Sequence, residues 1–190
     1  MDSYEEIKAV GMDVDGTLTD GVYQIEGSSG RVAIEEVIET CKVTKNFYTR
    51  DFSAIEGLMR AGICVLIITQ SHDTCIYDQL TRICSHSKFW AECWDTKGLL
   101  TLMTGTENKK ASVEEFFKNQ KTNHNRSVGW DSFAYIGDAE NDTGCLEAAA
   151  FSGCPADSVE GICETDYYSD SVGGRGAVYD FCNEILYNIE

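Results

Sequence analysis

The run from Ile7 to Val14 is apolar except for Lys8 and, near its end, Asp13, and it closes on Asp13-Val14-Asp15-Gly16-Thr17. A run of this kind reads as a buried strand. Residues two apart on a strand share a face, so Asp13 and Asp15 project together where the strand gives way to a loop. Gly16 lets the chain turn sharply there. Two carboxylates so close repel one another unless a cation lies between them. Mg2+ suits the place, because a hard ion takes oxygen ligands and keeps several waters. Two more apolar runs end the same way. Ile63 to Ile68 leads to Thr69-Gln70-Ser71-His72-Asp73, and Phe133 to Ile136 leads to Gly137-Asp138-Ala139-Glu140-Asn141-Asp142. With helical stretches between them, this rhythm predicts an α/β fold with a Rossmann-like, doubly wound parallel sheet. Such sheets bind ligands at the carboxyl ends of their strands.

The intervening segments refine this picture. Gly21 to Glu26, the turn Gly27-Ser28-Ser29-Gly30 and Arg31 to Ile34 read as a β-hairpin protruding beside the acidic loop. Glu35 to Asn46 is compatible with strand or with a helical turn. Asp51 to Ala61 reads as a helix with Ile55, Leu58 and Met59 on one face, Asp51 at its N-cap or first turn and Gly62 as its stop. A hydroxyl at the tip of the second strand, Thr69 or Ser71, either caps the following helix or meets a phosphate at its N-terminus. Ser85 to Thr106 carries no clear period, and Phe89, Trp90 and Trp94 are expected in a core or interface. Lys109 and Lys110 open a helix, where cations oppose the dipole. A lysine in that position is either a solvated surface group or one that reaches an aspartate and a phosphate together.

With 190 residues the chain fits one domain, 1–190, and its hydrophobic content of 43% is that of a globular protein. A net charge of -17 argues against nucleic acid and against an anionic membrane surface as partners. The same charge demands a cation, and a few placed lysines or arginines, before a phosphorylated molecule could bind. Nine cysteines are scattered without CxxC pairs. No signal peptide or membrane span is visible. Buried free thiols in a reducing cytoplasm are therefore the expectation.

The nine residues Asp13 to Gly21 resemble the first motif of the haloacid dehalogenase superfamily of phosphotransferases. The resemblance implies that Asp13 is the nucleophile and Asp15 the general acid and base. It matches Thr69 to the second-motif hydroxyl and, by the spacing from Gly105, Lys109 rather than Lys110 to the third-motif lysine. Asp138 and Asp142 match the fourth motif. By the same resemblance Asp13, Asp15 through its carbonyl, and Asp138 hold Mg2+, with Asp142 completing the acidic set. Gly16, Thr69 and Lys109 would then meet the phosphoryl group. The gaps from Asp15 to Thr69 and from Thr69 to Lys109 are too short for the cap domain that many members carry.

Ser152 to Asp157, Ser171 to Val178 and the closing helix to about Asn188 are similar to one capless branch. That branch contains 3-deoxy-manno-octulosonate 8-phosphate phosphatase, the nine-carbon sialic-type 9-phosphate phosphatases and the C-terminal domain of CMP-acylneuraminate synthetases. It implies a homotetramer in which a neighbouring subunit closes each site and Arg175 meets the anionic substrate. The implied reaction is Mg2+-dependent hydrolysis of an eight- or nine-carbon 2-keto-3-deoxy sugar acid phosphate. The chain departs from the branch where Ser-Gly-Arg is usual, having Thr69-Gln70-Ser71, and where Asp-Gly is usual, having Asp51-Phe52. Two alternatives stay open: another sugar phosphate as substrate, and a non-catalytic oligomerisation module of the kind attached to cytidylyltransferases.

Overall fold

The structure, a computed structural model, describes residues 7–26, 42–162 and 164–189. Six parallel strands form its sheet: β1 (Ala9–Met12), β4 (Cys64–Ile68), β5 (Leu100–Met103), β6 (Phe133–Ile136), β7 (Phe151–Cys154) and β8 (Tyr167–Tyr168). Their order is β5-β4-β1-β6-β7-β8. The chain therefore builds outward from β1 on one side, returns, and builds outward on the other. The switch point lies at β1, and a ligand crevice is expected at its carboxyl end. β1, β4 and β6 are buried along their whole length. That is why they read as continuous apolar runs rather than as alternating ones.

Flanking the sheet are α1 (Thr49–Arg60), α2 (Cys75–His86), α3 (Lys88–Asp95), α4 (Lys109–His124), the single turn α5 (Thr143–Leu146) and α6 (Ala177–Asn188). The segment Ser85–Thr106, unreadable by period, holds the end of α2, all of α3 and all of β5. Trp90 is buried and its indole N–H donates to Glu56 Oε2 at 2.8 Å. Phe89 and Trp94 are half-buried against the same core. The stretch between Thr69 and Lys109 thus contains two helices and a strand rather than one helix, and still no cap.

A separate two-stranded antiparallel ribbon pairs β2 (Gln24–Glu26) with β3 (Lys42–Thr44). Its first arm is the predicted one. Among the described residues that arm pairs with Lys42–Thr44, in the stretch the sequence leaves open between strand and helical turn; the predicted arm Arg31–Ile34 lies outside the described residues. Hairpin rules favour short connections. Here the pairing is set by a more distant segment.

Asp51 is fully buried in the first turn of α1, but it does not cap that helix; the residue at the cap is Tyr48. Asp51 Oδ1 instead accepts the backbone N–H of Tyr179, at 2.9 Å, in the first turn of α6, while Oδ2 has no hydrogen-bond partner among the described residues. Burial, and to a lesser extent Asp180, raise its carboxyl to about 7. The unfolded value is about 3.9, so the native state holds this proton more tightly than the unfolded chain. Stability from this group is complete below about pH 4 and is lost as pH rises through 7. The whole effect amounts to at most about 4 kcal/mol. Asp51→Asn should abolish that slope, as read from urea unfolding between pH 5 and 8. An unchanged slope in the variant would remove Asp51 from the account.

Candidate active site

β1 ends at Met12, and the N–H of Asp13 still donates to the Ile136 carbonyl at 3.1 Å, prolonging the register between β1 and β6. The chain then turns through Val14–Leu18, with Gly16 at φ +91°. A side chain at Gly16 would be strained there and would also strike the Asp138 carboxylate. Buried Thr17 donates its hydroxyl to Asp138 Oδ1 at 3.2 Å. The far side of the turn is braced by the C-terminal glycine loop. The N–H of Gly174 donates to the Thr17 carbonyl at 2.9 Å, and a Cβ on Gly173 would collide with the Gly16 carbonyl. Arg175, next along, is exposed and does not line the cleft of its own chain.

Beneath the turn lies a buried charge cluster. Lys109 opens α4, whose cap is the Asn108 side chain accepting the Ala111 N–H at 3.1 Å. The Lys109 ammonium bridges Asp13 Oδ1 at 2.5 Å and Asp142 Oδ1 at 2.7 Å. Lys110 points elsewhere, its ammonium 5.8 Å from the centre of the Trp130 ring. Asp142 is fully buried and fully engaged. Besides Lys109 it accepts the Tyr135 hydroxyl at 2.6 Å and the N–H groups of Asp138 and Ala139, each at 3.3 Å. Burial first, and then Asp142, push the Asp13 carboxyl well above the usual carboxylate range, against the pull of Lys109. The same two causes raise Asp138.

Asp13, Asp138 and Asp142 each offer a carboxylate oxygen, and these oxygens lie within 4.8 Å of one another. An all-oxygen, acid-rich set in which Asp13 and Asp138 resist ionisation fits a hard divalent cation. Because Asp142 already accepts four hydrogen bonds, Asp13 and Asp138 are the pair with oxygens to offer.

The Asp15 carboxylate is not part of that group. It faces the other wall, where Oδ2 accepts the Thr69 hydroxyl at 3.2 Å and Oδ1 pairs with the Lys45 ammonium at 2.6 Å. Above these groups opens a cleft of about 290 Å³ lined by Asp13, Asp15, Tyr23, Thr69, Gln70, Ser71, Ala139 and Asn141. The Asn141 amide donates to Gln70 Oε1 at 3.2 Å, joining the loops after β4 and β6 across the mouth. Neither Gly16 nor Lys109 lines this cleft; Lys109 is buried and Gly16 half-buried.

Sequence reasoning missed Lys45, Asp73, Tyr135 and the Gln70–Asn141 pair. Tyr135 had a signal available: a hydroxyl inside a wholly buried strand must find a partner. Lys45 had none, since a single lysine after a short polar strand is ordinary.

No family model matches the chain. Among curated proteins it is 27% identical over 187 residues to an N-acylneuraminate cytidylyltransferase from Oncorhynchus mykiss, covering 98% of this chain but only 37% of that relative. It is likewise 27% identical over 187 residues to the 3-deoxy-D-manno-octulosonate 8-phosphate phosphatase KdsC of Salmonella typhi, covering 98% of this chain and 82% of the relative. Among solved structures it is similar to the 3-deoxy-D-manno-octulosonate 8-phosphate phosphatase of Moraxella catarrhalis, solved with magnesium, phosphate and KDO. That likeness has a TM-score of 0.73 and 26% identity, covering 97% of this chain and 88% of the other.

Proposed function

We propose that this chain, a capless haloacid dehalogenase superfamily protein and a phosphoric monoester hydrolase, releases phosphate from an eight- or nine-carbon 2-keto-3-deoxy sugar acid through an aspartyl-phosphate on Asp13. The observation that carries this reading is the gathering of Asp13, Asp138, Asp142 and Lys109 at the carboxyl end of β1. Asp13 and Asp138 would hold Mg2+, which when bound neutralises phosphoryl charge and keeps the nucleophile ionised.

The residues then divide the work. An Asp13 oxygen attacks phosphorus while the ester P–O bond breaks, and Asp15 gives its proton to the departing oxygen. In the second half Asp15 takes a proton from water, the water oxygen bonds to phosphorus, and the bond from Asp13 breaks. Phosphate leaves with both aspartates restored. Lys109 holds Asp13 in place and balances charge, while Thr69 steadies Asp15 and faces the phosphoryl oxygens from the cleft wall.

The sugar acid needs help from outside the cleft. Lys45 and Lys109 are each committed to two carboxylates, so among the described residues the cleft lining offers no free cation for the substrate's own carboxylate. A cleft of about 290 Å³ is also at the small end for small-molecule sites. Ile25 on the ribbon, and Val22 and Tyr23 leading into it, leave 63%, 61% and 46% of their surfaces exposed. A second copy seated on that ribbon, bringing its Arg175, would supply both the wall and the charge. In this reading the protein is a homotetramer, and a monomer by light scattering at assay concentration would rule that out.

Phosphate release from a panel of sugar-acid and neutral sugar phosphates, with Mg2+ and with chelator, tests the reading. Turnover should favour the eight- and nine-carbon sugar acids and vanish with chelator. Equal turnover of unrelated esters would discard the substrate assignment. No turnover of any ester would instead favour a non-catalytic oligomerisation module.

A further inference from the structure

Lys45 follows β3 directly and is almost wholly buried, its side chain 2% exposed. Burying an ammonium is costly unless it is paired and hydrogen-bonded. Here it has two partners, Asp15 Oδ1 at 2.6 Å and Asp73 Oδ2 at 2.5 Å, and it lies 4.7 Å from the centre of the Tyr23 ring. Asp73 is itself fixed. Its Oδ1 accepts the Cys75 N–H at 2.9 Å at the start of α2, and its Oδ2 accepts the Ser71 hydroxyl. The Ser71 N–H donates to Thr69 Oγ1 at 3.0 Å, and Thr69 returns to Asp15. Asp15, Lys45, Asp73, Ser71 and Thr69 therefore form a closed ring of two ion pairs, both made by Lys45, and three hydrogen bonds. Three chain segments meet in it: the turn after β1, the loop after β4 and the end of the ribbon.

We propose that Lys45, clamped by Asp73, is the positioning residue that aims the Asp15 carboxyl at the leaving oxygen. It does not line the cleft, so it acts through Asp15 rather than on the substrate. The ring leaves Asp15 both oxygens engaged from the protein side, which fixes the plane of its carboxyl group before any ligand arrives. Such fixation lowers the cost of reaching the proton-transfer geometry. The inference rests on the phosphatase reading. Its new content is that a residue from the ribbon sets the aim of the acid.

The readout is the dependence on leaving group. A sugar alkoxide leaves only with a proton from Asp15, whereas para-nitrophenolate leaves without one. kcat/KM reports the transfer to Asp13 for each ester. Lys45→Met should lower kcat/KM for a sugar-acid phosphate by about a hundredfold, the scale of a displaced general acid. For para-nitrophenyl phosphate the loss should be several times smaller. Lys45→Arg should restore most of the difference, and Asp73→Asn should show the same pattern in weaker form. If Lys45→Met fails to fold, Asp73→Asn decides alone. Equal losses on both esters, in whichever variant folds, would reduce Lys45 to a structural tether and overturn the inference. A wild type inactive on both esters would overturn the phosphatase reading itself, and this inference with it.

Discussion

Asp13→Asn should release phosphate at least about ten-thousand-fold more slowly than the wild type, the scale on which removing a nucleophile acts in covalent catalysis. The amide keeps the shape of the carboxyl and can still meet Lys109, but its oxygen carries no charge with which to attack phosphorus. Lys109 retains Asp142 at 2.7 Å, so the buried cluster stays compensated. The variant relieves a carboxyl that burial and Asp142 push well above its usual range. Its melting temperature should therefore stay within a few degrees of the wild type. A malachite-green assay beside a thermal melt separates the two effects. Phosphate release within tenfold of the wild type would refute Asp13 as nucleophile.

Lys109→Met should damage the protein twice. Burial opposes the charge on this lysine, but Asp13 and Asp142 outweigh it and raise its pKa. Removing the ammonium leaves those two buried carboxylates facing one another without a counter-charge. Breaking a buried ion pair from one side costs about 3–5 kcal/mol, or roughly 10 °C in melting temperature for a chain of this size. Activity should fall as well, because Asp13 loses its anchor and the transferring phosphoryl group its balancing charge. Lys110→Met is the control. That side chain is exposed over Trp130, and its loss should change stability by no more than about 0.5 kcal/mol. Equal effects in the two variants would contradict the assignment of Lys109 over Lys110.

The parts legible in the sequence are those where one segment carries its own signal. A wholly buried parallel strand is an unbroken apolar run, so β1, β4 and β6 stand out, and the acids and hydroxyls at their tips fall beside one another once the sheet is assumed. Lys109 and Lys110 both stood out as cations at a helix N-terminus, where they are locally unfavourable, but only the resemblance to the third motif separated Lys109 from Lys110. Asp51 showed only its place in a first turn, since its partner, the Tyr179 N–H, is far along the chain. Lys45 is the same case in sharper form: both of its carboxylates come from other segments, and nothing local marks it. The strand Lys42–Thr44 stayed undecided between strand and helical turn because three residues carry too little alternation to settle it. α3 and β5 escaped because eight residues of helix and four of half-buried strand are too short for either period to emerge.

The most direct test is to catch the phosphoryl group on the protein. During turnover of a sugar-acid phosphate with Mg2+, the reaction is quenched, reduced with borohydride and digested for mass spectrometry. Reduction of an aspartyl-phosphate leaves homoserine, and the account predicts homoserine at position 13 and at no other aspartate. Steady phosphate release with position 13 unmodified, or the label at Asp15, Asp138 or Asp142 instead, would contradict it.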